Sequence, residues 1–141
     1  MITLPPSNLK QIHRLDDINS SLQGHYIRPV SKTWAAVDSW MFPNKFFQIT
    51  TLKNHDIEAK PLNNLLSKVG SVVNDVEENM LIFAVPPDVY NSSWTTEQTY
   101  VFTEKGHTVR FSADNPPSKL KVKYLQTVEQ YVLEVPLFDK E

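Results

Sequence analysis

Apolar residues recur along this chain in two rhythms, and the change from one to the other divides it. Leu9, Ile12, Leu15 and Ile18 repeat at helical spacing behind Pro5-Pro6-Ser7-Asn8, a helix-opening sequence. They predict a helical lead-in over residues 1–23, with Asp16 and Asp17 placed late, where acidic charge opposes the helix dipole. From Gly24 the rhythm shortens. His25 to Val30 reads as a strand that Pro29 confines to an edge or an end. Trp34 to Trp40, WAAVDSW, reads as a second strand. Phe42-Pro43-Asn44-Lys45 is a turn signal, and Phe46 to Thr51 is a third strand. Three strands with short connections predict an antiparallel meander or hairpin.

The longer period then returns. Pro61 suits a first helical position, and Leu62, Leu65, Leu66, Val69 and Val73 form one apolar stripe, with Gly70 a candidate end. Met80 to Val85, MLIFAV, is apolar without interruption, the pattern of a strand covered on both faces and reached through a helical crossover. Pro86-Pro87 stops it. Thr99 to Phe102 and His107 to Phe111 predict two strands about a Glu104-Lys105-Gly106 turn. Lys119 to Tyr124, KLKVKY, alternates strictly, and Val128 to Val135 favours a last strand over a helix. The predicted fold class is α/β: a mixed central sheet flanked by helices, in one domain over residues 24–141 with a β-rich C-terminal extension.

Composition narrows the possibilities. The chain has 141 residues, 40% hydrophobic and 21% charged, which fits one domain with one core. Net charge is -2, so no global basic field advertises nucleic acid, and such binding would need a local patch. There is no cysteine, which excludes disulfides and thiolate metal sites. The stretch MITLPPSNLKQIHRL holds no apolar run of signal-peptide length, and no segment approaches the roughly 20 apolar residues of a membrane helix. An intracellular protein without membrane partners is the expectation. Asn91-Ser92-Ser93 matches a glycosylation sequon that this expectation leaves unused.

The candidate chemistry gathers at the third predicted strand, where Gln48 and Thr50 interrupt FFQIT and Lys53 and His55 follow its end. A three-residue connection, Phe42 to Asn44, pairs Met41 with Lys45 and sets Asp38 opposite Gln48, while a two- or four-residue connection sends Gln48 to the other face. In the first register Asp38, Gln48 and Thr50 form a polar cluster with Lys53 and His55 at its rim. An Asp oxygen, a Gln carbonyl and waters suit magnesium, and a nearby lysine can stabilise charge on a phosphate. That is the outline of metal-dependent phosphodiester hydrolysis. The structural alternative is an Asp–Gln hydrogen bond at a sheet edge beside solvated Lys53 and His55.

HYIRPVSKTWAAVDSWMF, then FFQITTLKNHDIEAKPLNNLL, MLIFAVPPDVY and VEQYVLEV, resemble the C-terminal domain of the Crinkler and retrotransposon-hot-spot families, over roughly residues 24–90 and 125–136. The resemblance implies a restriction-endonuclease-like fold of the PD-(D/E)XK class: helix, three-strand meander, helix, strand. It also implies a magnesium-dependent nuclease site. Asp38 falls on the family's metal-binding Asp, and Gln48 stands where the class has a second carboxylate. Thr50 occupies the position of its lysine, Lys53 is a displaced substitute, and His55 matches the family's His. No early-helix Glu is evident before Gly24. The Gln in place of a carboxylate removes one negative charge from a divalent-metal site.

Two functional readings follow. One is a metal-dependent nuclease acting on DNA, or a degenerate descendant that still binds it, with Lys119, Lys121 and Lys123 tracking the phosphate backbone. The other is a non-catalytic effector or transposon-derived module that contacts host proteins from inside a host cell, its nucleus included, with the same lysines protecting an edge strand. Trp34, Trp40 and Trp94 suit base stacking or packing. His13, His25 and His107 show no metal-ligand spacing.

Overall fold

The computed structural model describes residues 9–30, 37–51, 56–73, 78–93, 97–117, 120 and 123–135. Six strands form the main sheet: β1 (Leu9–Ile12), β2 (Tyr26–Pro29), β3 (Ser39–Met41), β4 (Lys45–Ile49), β6 (Asn79–Val85) and β9 (Val128–Glu134). They lie in the order β1-β2-β3-β4-β6-β9. A second sheet holds β5 (Ile57–Glu58), β7 (Tyr100–Glu104) and β8 (His107–Phe111) in the order β5-β7-β8. Two helices, α1 (Ala59–Val72) and α2 (Pro87–Ser93), complete the mixed α/β architecture.

The predicted meander is present: β3 runs antiparallel to both β2 and β4. From β4 the chain crosses through α1 to β6, which pairs parallel with β4, and β9 pairs parallel with β6. The stripe Leu62, Leu65, Leu66 and Val69 puts α1 on one face of this sheet, against Trp40, Phe46, Leu81 and Phe83. Removing one such side chain from water stabilises the fold by about 1.5–3 kcal/mol. The helix runs past Gly70 to Val72, so that glycine does not end it. On β6, Leu81, Phe83 and Val85 enter this core, and Val89 of α2 joins them.

Strand alternation sends a second set of residues to the opposite face. Tyr26, Met41, Lys45 and Met80 are linked by register in one row, and Phe47, Ile82 and Tyr131 in the next. Leu9, Ile49, Tyr131 and Leu133 all belong to this side and are all exposed. Among the described residues no helix lies on this side, and its exposure is uneven: Ile82, between its register partners Phe47 and Tyr131, is only 8% exposed.

Two expectations fail. The predicted N-terminal helix is instead β1, parallel to β2, followed by 3-10 turns at Leu15–Asp17 and Ser20–Leu22. Side chains compete there for the groups a helix would use. Asp17 Oδ2 accepts the His13 and Arg14 N–H groups at 2.8 and 3.1 Å, and Asn19 Oδ1 accepts the Ser21 N–H at 2.9 Å. Those two backbone bonds hold the Asp17 carboxyl below its ordinary range. The strand predicted over Lys119–Tyr124 fails at its described end. Lys123–Thr127 is a 3-10 turn, seated on α1 by the Tyr124 N–H donating to Asn63 Oδ1 at 3.1 Å.

Of the strand predicted over Trp34–Trp40 only the end forms, as β3: Val37 and Asp38 are not strand, and residues 34–36 lie outside the described residues. The remaining predicted strands form. The β7–β8 hairpin turns through Lys105 and Gly106, both at positive φ (51° and 81°), the geometry of a two-residue turn that favours glycine. An ion pair between Arg110 and Asp56 ties β8 to the entry of β5. Gln130 of β9 joins the two sheets: its Oε1 accepts the Gln98 N–H at 2.7 Å, and its Nε2 donates to the Gln98 carbonyl at 3.1 Å.

Candidate functional site

The β3–β4 hairpin holds the expected site. Phe42, Pro43 and Asn44 make the three-residue connection, with a cis Phe42–Pro43 peptide, and Met41 pairs with Lys45 and Ser39 with Phe47. This is the register that would set Asp38 opposite Gln48. At Asp38 the ladder steps aside. The Asp38 N–H donates to the Phe47 carbonyl at 2.9 Å, although Phe47 is already the partner of Ser39. Two successive residues thus stand against one, the arrangement of a β-bulge, which re-aims a side chain. The Asp38 carboxylate joins the open face, where Oδ2 accepts the Ile49 N–H at 2.7 Å.

Gln48 goes the other way. It is 7% exposed, shares a face with Phe46, and is level with the fully buried Phe83 on β6. Thr50 is also buried, and its N–H extends the ladder to the Ala84 carbonyl at 3.1 Å. The expected cluster of Asp38, Gln48 and Thr50 is therefore split between two faces. Magnesium takes oxygen ligands that converge at octahedral geometry. A carboxylate on one face and an amide on the other do not converge, so this pair does not fit the ion. Among the described residues, no group of three or more His, Asp or Glu side chains is placed to hold a metal elsewhere.

Lys53 and His55 lie outside the described residues, as do Lys119 and Lys121, and Lys123 belongs to the 3-10 turn. Trp40 is wholly buried and stacked on Phe46, with centroids 5.9 Å apart and planes at 29°, so it packs the core and offers no face to a base. Trp34 and Trp94 are outside the described residues. Among the described residues no helix is long and apolar enough to cross a membrane.

What the hairpin does build is a groove of about 680 Å³ on the open face, lined by Leu9, Gln11, Tyr26, Arg28, Asp38 and Ile49 among others. Its floor is fixed by the Tyr26 hydroxyl, which donates to Ser39 Oγ at 2.6 Å, while the Tyr26 ring meets Phe47 at 6.4 Å. Arg28 is exposed and has no ion-pair partner among the described residues. Sequence reasoning missed Tyr26, Arg28 and Ser39. The signal was the alternation within HYIRPV, which puts Tyr26 and Arg28 on one face and Ile27 on the other.

The core face carries one strongly perturbed group. Tyr100 is 1% exposed and stacked on Phe111 at 5.8 Å. Burial pushes its phenol up to about 12, against the Gln130 side chain, which draws it down.

No family model, curated protein or solved structure matches the chain.

Proposed function

We propose that this chain is a non-catalytic interaction module, in which an endonuclease-like sheet serves as the scaffold and its open face makes the contacts. One observation carries the reading. The carboxylate of Asp38 is bound to the Ile49 N–H on one face, while Gln48 is buried on the other. Both residues serve the architecture of the hairpin. The face to which Asp38 belongs exposes the apolar side chains of Leu9, Ile49, Tyr131 and Leu133, Ile49 at 69%, and exposed apolar groups of this kind favour a contact site.

A metal-dependent nuclease is the second reading, and the order meander, helix, parallel strand favours it as ancestry. Plasmid nicking in magnesium or manganese separates the two. The module produces no metal-dependent nicking that Asp38→Ala removes. Nicking that requires both the metal and Asp38 overturns the proposal in favour of the nuclease. DNA binding without nicking, falling steeply with salt, identifies a nucleic-acid-binding descendant and overturns it as well.

A further inference from the structure

The groove on the helix-free face brings two opposite charges together without pairing them. Arg28 is in register with Gln11 of β1, and one residue beyond the Ile27–Trp40 pair it comes level with Ser39 of β3. Its side chain is exposed. Asp38, next to Ser39 in the chain, lines the same groove and is exposed as well. Strict alternation would send its side chain to the core, and the bulge turns it here instead. The Ile49 N–H then holds Oδ2 at 2.7 Å, while Oδ1 has no partner among the described residues. A carboxylate so tethered is not free to swing to Arg28, and the two make no ion pair with each other. Ser39, beside both, is only 6% exposed; its Oγ accepts the Tyr26 hydroxyl and keeps its own O–H as a donor. The walls around these polar groups are apolar, among them Leu9, Val37 and Ile49. A concave, largely apolar groove with a few fixed polar groups is the usual make-up of a small-molecule site.

From this juxtaposition we propose that the groove binds a small zwitterion, an α-amino acid with an apolar side chain. Its carboxylate takes the Arg28 guanidinium, whose planar fork matches a carboxylate with two parallel N–H groups. The Ser39 O–H is a further donor to the same carboxylate. Its ammonium takes Asp38 Oδ1, the oxygen that the Ile49 N–H leaves unused. Its side chain lies against Val37 and Ile49, which is 69% exposed and gains most from cover. A ligand of a single sign fits worse. A simple anion meets Asp38 beside Arg28, and a simple cation meets the reverse. The groove, about 680 Å³, has room for a bulky apolar side chain. The inference rests on the interaction-module reading and names a ligand for the face that reading makes the contact surface.

Amide chemical shifts of the whole chain, titrated with L-leucine to about 10 mM, test it. Exposed ion pairs are weak, so saturation is expected with a dissociation constant on the order of 1 mM. The shifts should centre on Arg28, Ser39 and Ile49. Isocaproate, which lacks the ammonium, and isopentylamine, which lacks the carboxylate, should each bind roughly tenfold more weakly. Arg28→Gln and Asp38→Asn should weaken leucine to a similar extent, and the asparagine carbonyl still serves the Ile49 N–H. The absence of a saturable shift at about 10 mM overturns the proposal. So does isocaproate binding as tightly as leucine, which marks a simple anion site, or leucine binding indifferent to both substitutions. The result is distinguishable from failure of the functional reading: a chain that neither binds leucine nor shows Asp38-dependent nicking loses only this ligand.

Discussion

Asp38 and Ile49 are joined by a charge-assisted hydrogen bond, the carboxylate Oδ2 accepting a backbone N–H at 2.7 Å beyond the last rung of the β3–β4 ladder. The acid residue on which a metal site was expected is a cap on the end of a hairpin. Its loss should therefore be read in stability. Asp38→Ala is expected to lower the free energy of unfolding by about 1 kcal/mol, with Asp38→Asn between it and the wild type. Urea denaturation measures this, and an unchanged midpoint in both variants contradicts the capping role.

Gln48 makes the complementary case. Restoring the carboxylate with Gln48→Glu puts an ionisable group at a position only 7% exposed. Burial favours its neutral form, so the folded-state pKa of the introduced Glu rises above its unfolded value near 4.3. A raised pKa gives stability that is retained at low pH and lost as pH rises through the folded value. The variant should match the wild type near pH 4 and fall below it by about 2–4 kcal/mol at pH 8. Urea midpoints across that range check the sign. A variant equally stable at both pH values means that the side chain is wetter than its position implies.

Tyr100 predicts an alkaline limit. Its phenol is pushed from 10.0 to about 12 in the fold. The folded state thus keeps a proton that the unfolded chain releases. Stability from this group is complete below about pH 10 and is lost between about pH 10 and 12. Tyr100→Phe should flatten that fall without removing the ring's packing on Phe111. Comparing unfolding of the two proteins from pH 9 to 12 tests it, and parallel curves refute it.

Gly70 lies on the exposed side of α1, and a Cβ there would meet only Tyr124 Cε1, at 3.8 Å, an ordinary contact. With room available and no positive φ to protect, Gly70→Ala should raise stability by about 0.5–1 kcal/mol through the helix term alone. Thermal unfolding shows whether the melting temperature moves upward.

The parts of the fold that sequence exposed are those where one physical term dominates. MLIFAV could be assigned to a central strand because six apolar residues in a row leave little else, and β6 lies between β4 and β9. The stripe Leu62 to Val69 marks α1, while the turn signal at Phe42 to Lys45 leaves the register open among two-, three- and four-residue connections, of which the three-residue one, with Met41 paired to Lys45, is realised. The failures occur where side chains compete with the backbone. Leu9, Ile12, Leu15 and Ile18 have helical spacing, but the bonds made by Asp17 and Asn19 turn the chain into short 3-10 pieces. Ile12 and Ile18 are buried all the same, without the helix. Counting residues from a three-residue connection puts Asp38 opposite Gln48, and the ladder follows that count as far as Ser39. The step at the Phe47 carbonyl then reverses the side chain's face, and nothing in VDSW announces that step.

The Gln130 amide, bonded both ways to the main chain at Gln98, stands in for a peptide unit. The coupling between the two sheets therefore depends on side-chain length as much as on polarity. Asparagine is one methylene too short for both contacts. Glutamate still accepts the Gln98 N–H but returns no donor to its carbonyl. Hydrogen exchange at the Gln98 amide should accelerate strongly in Gln130→Asn and only slightly in Gln130→Glu. The rigidity of the joint would then be set by the reach of one residue, and could be tuned without altering either sheet.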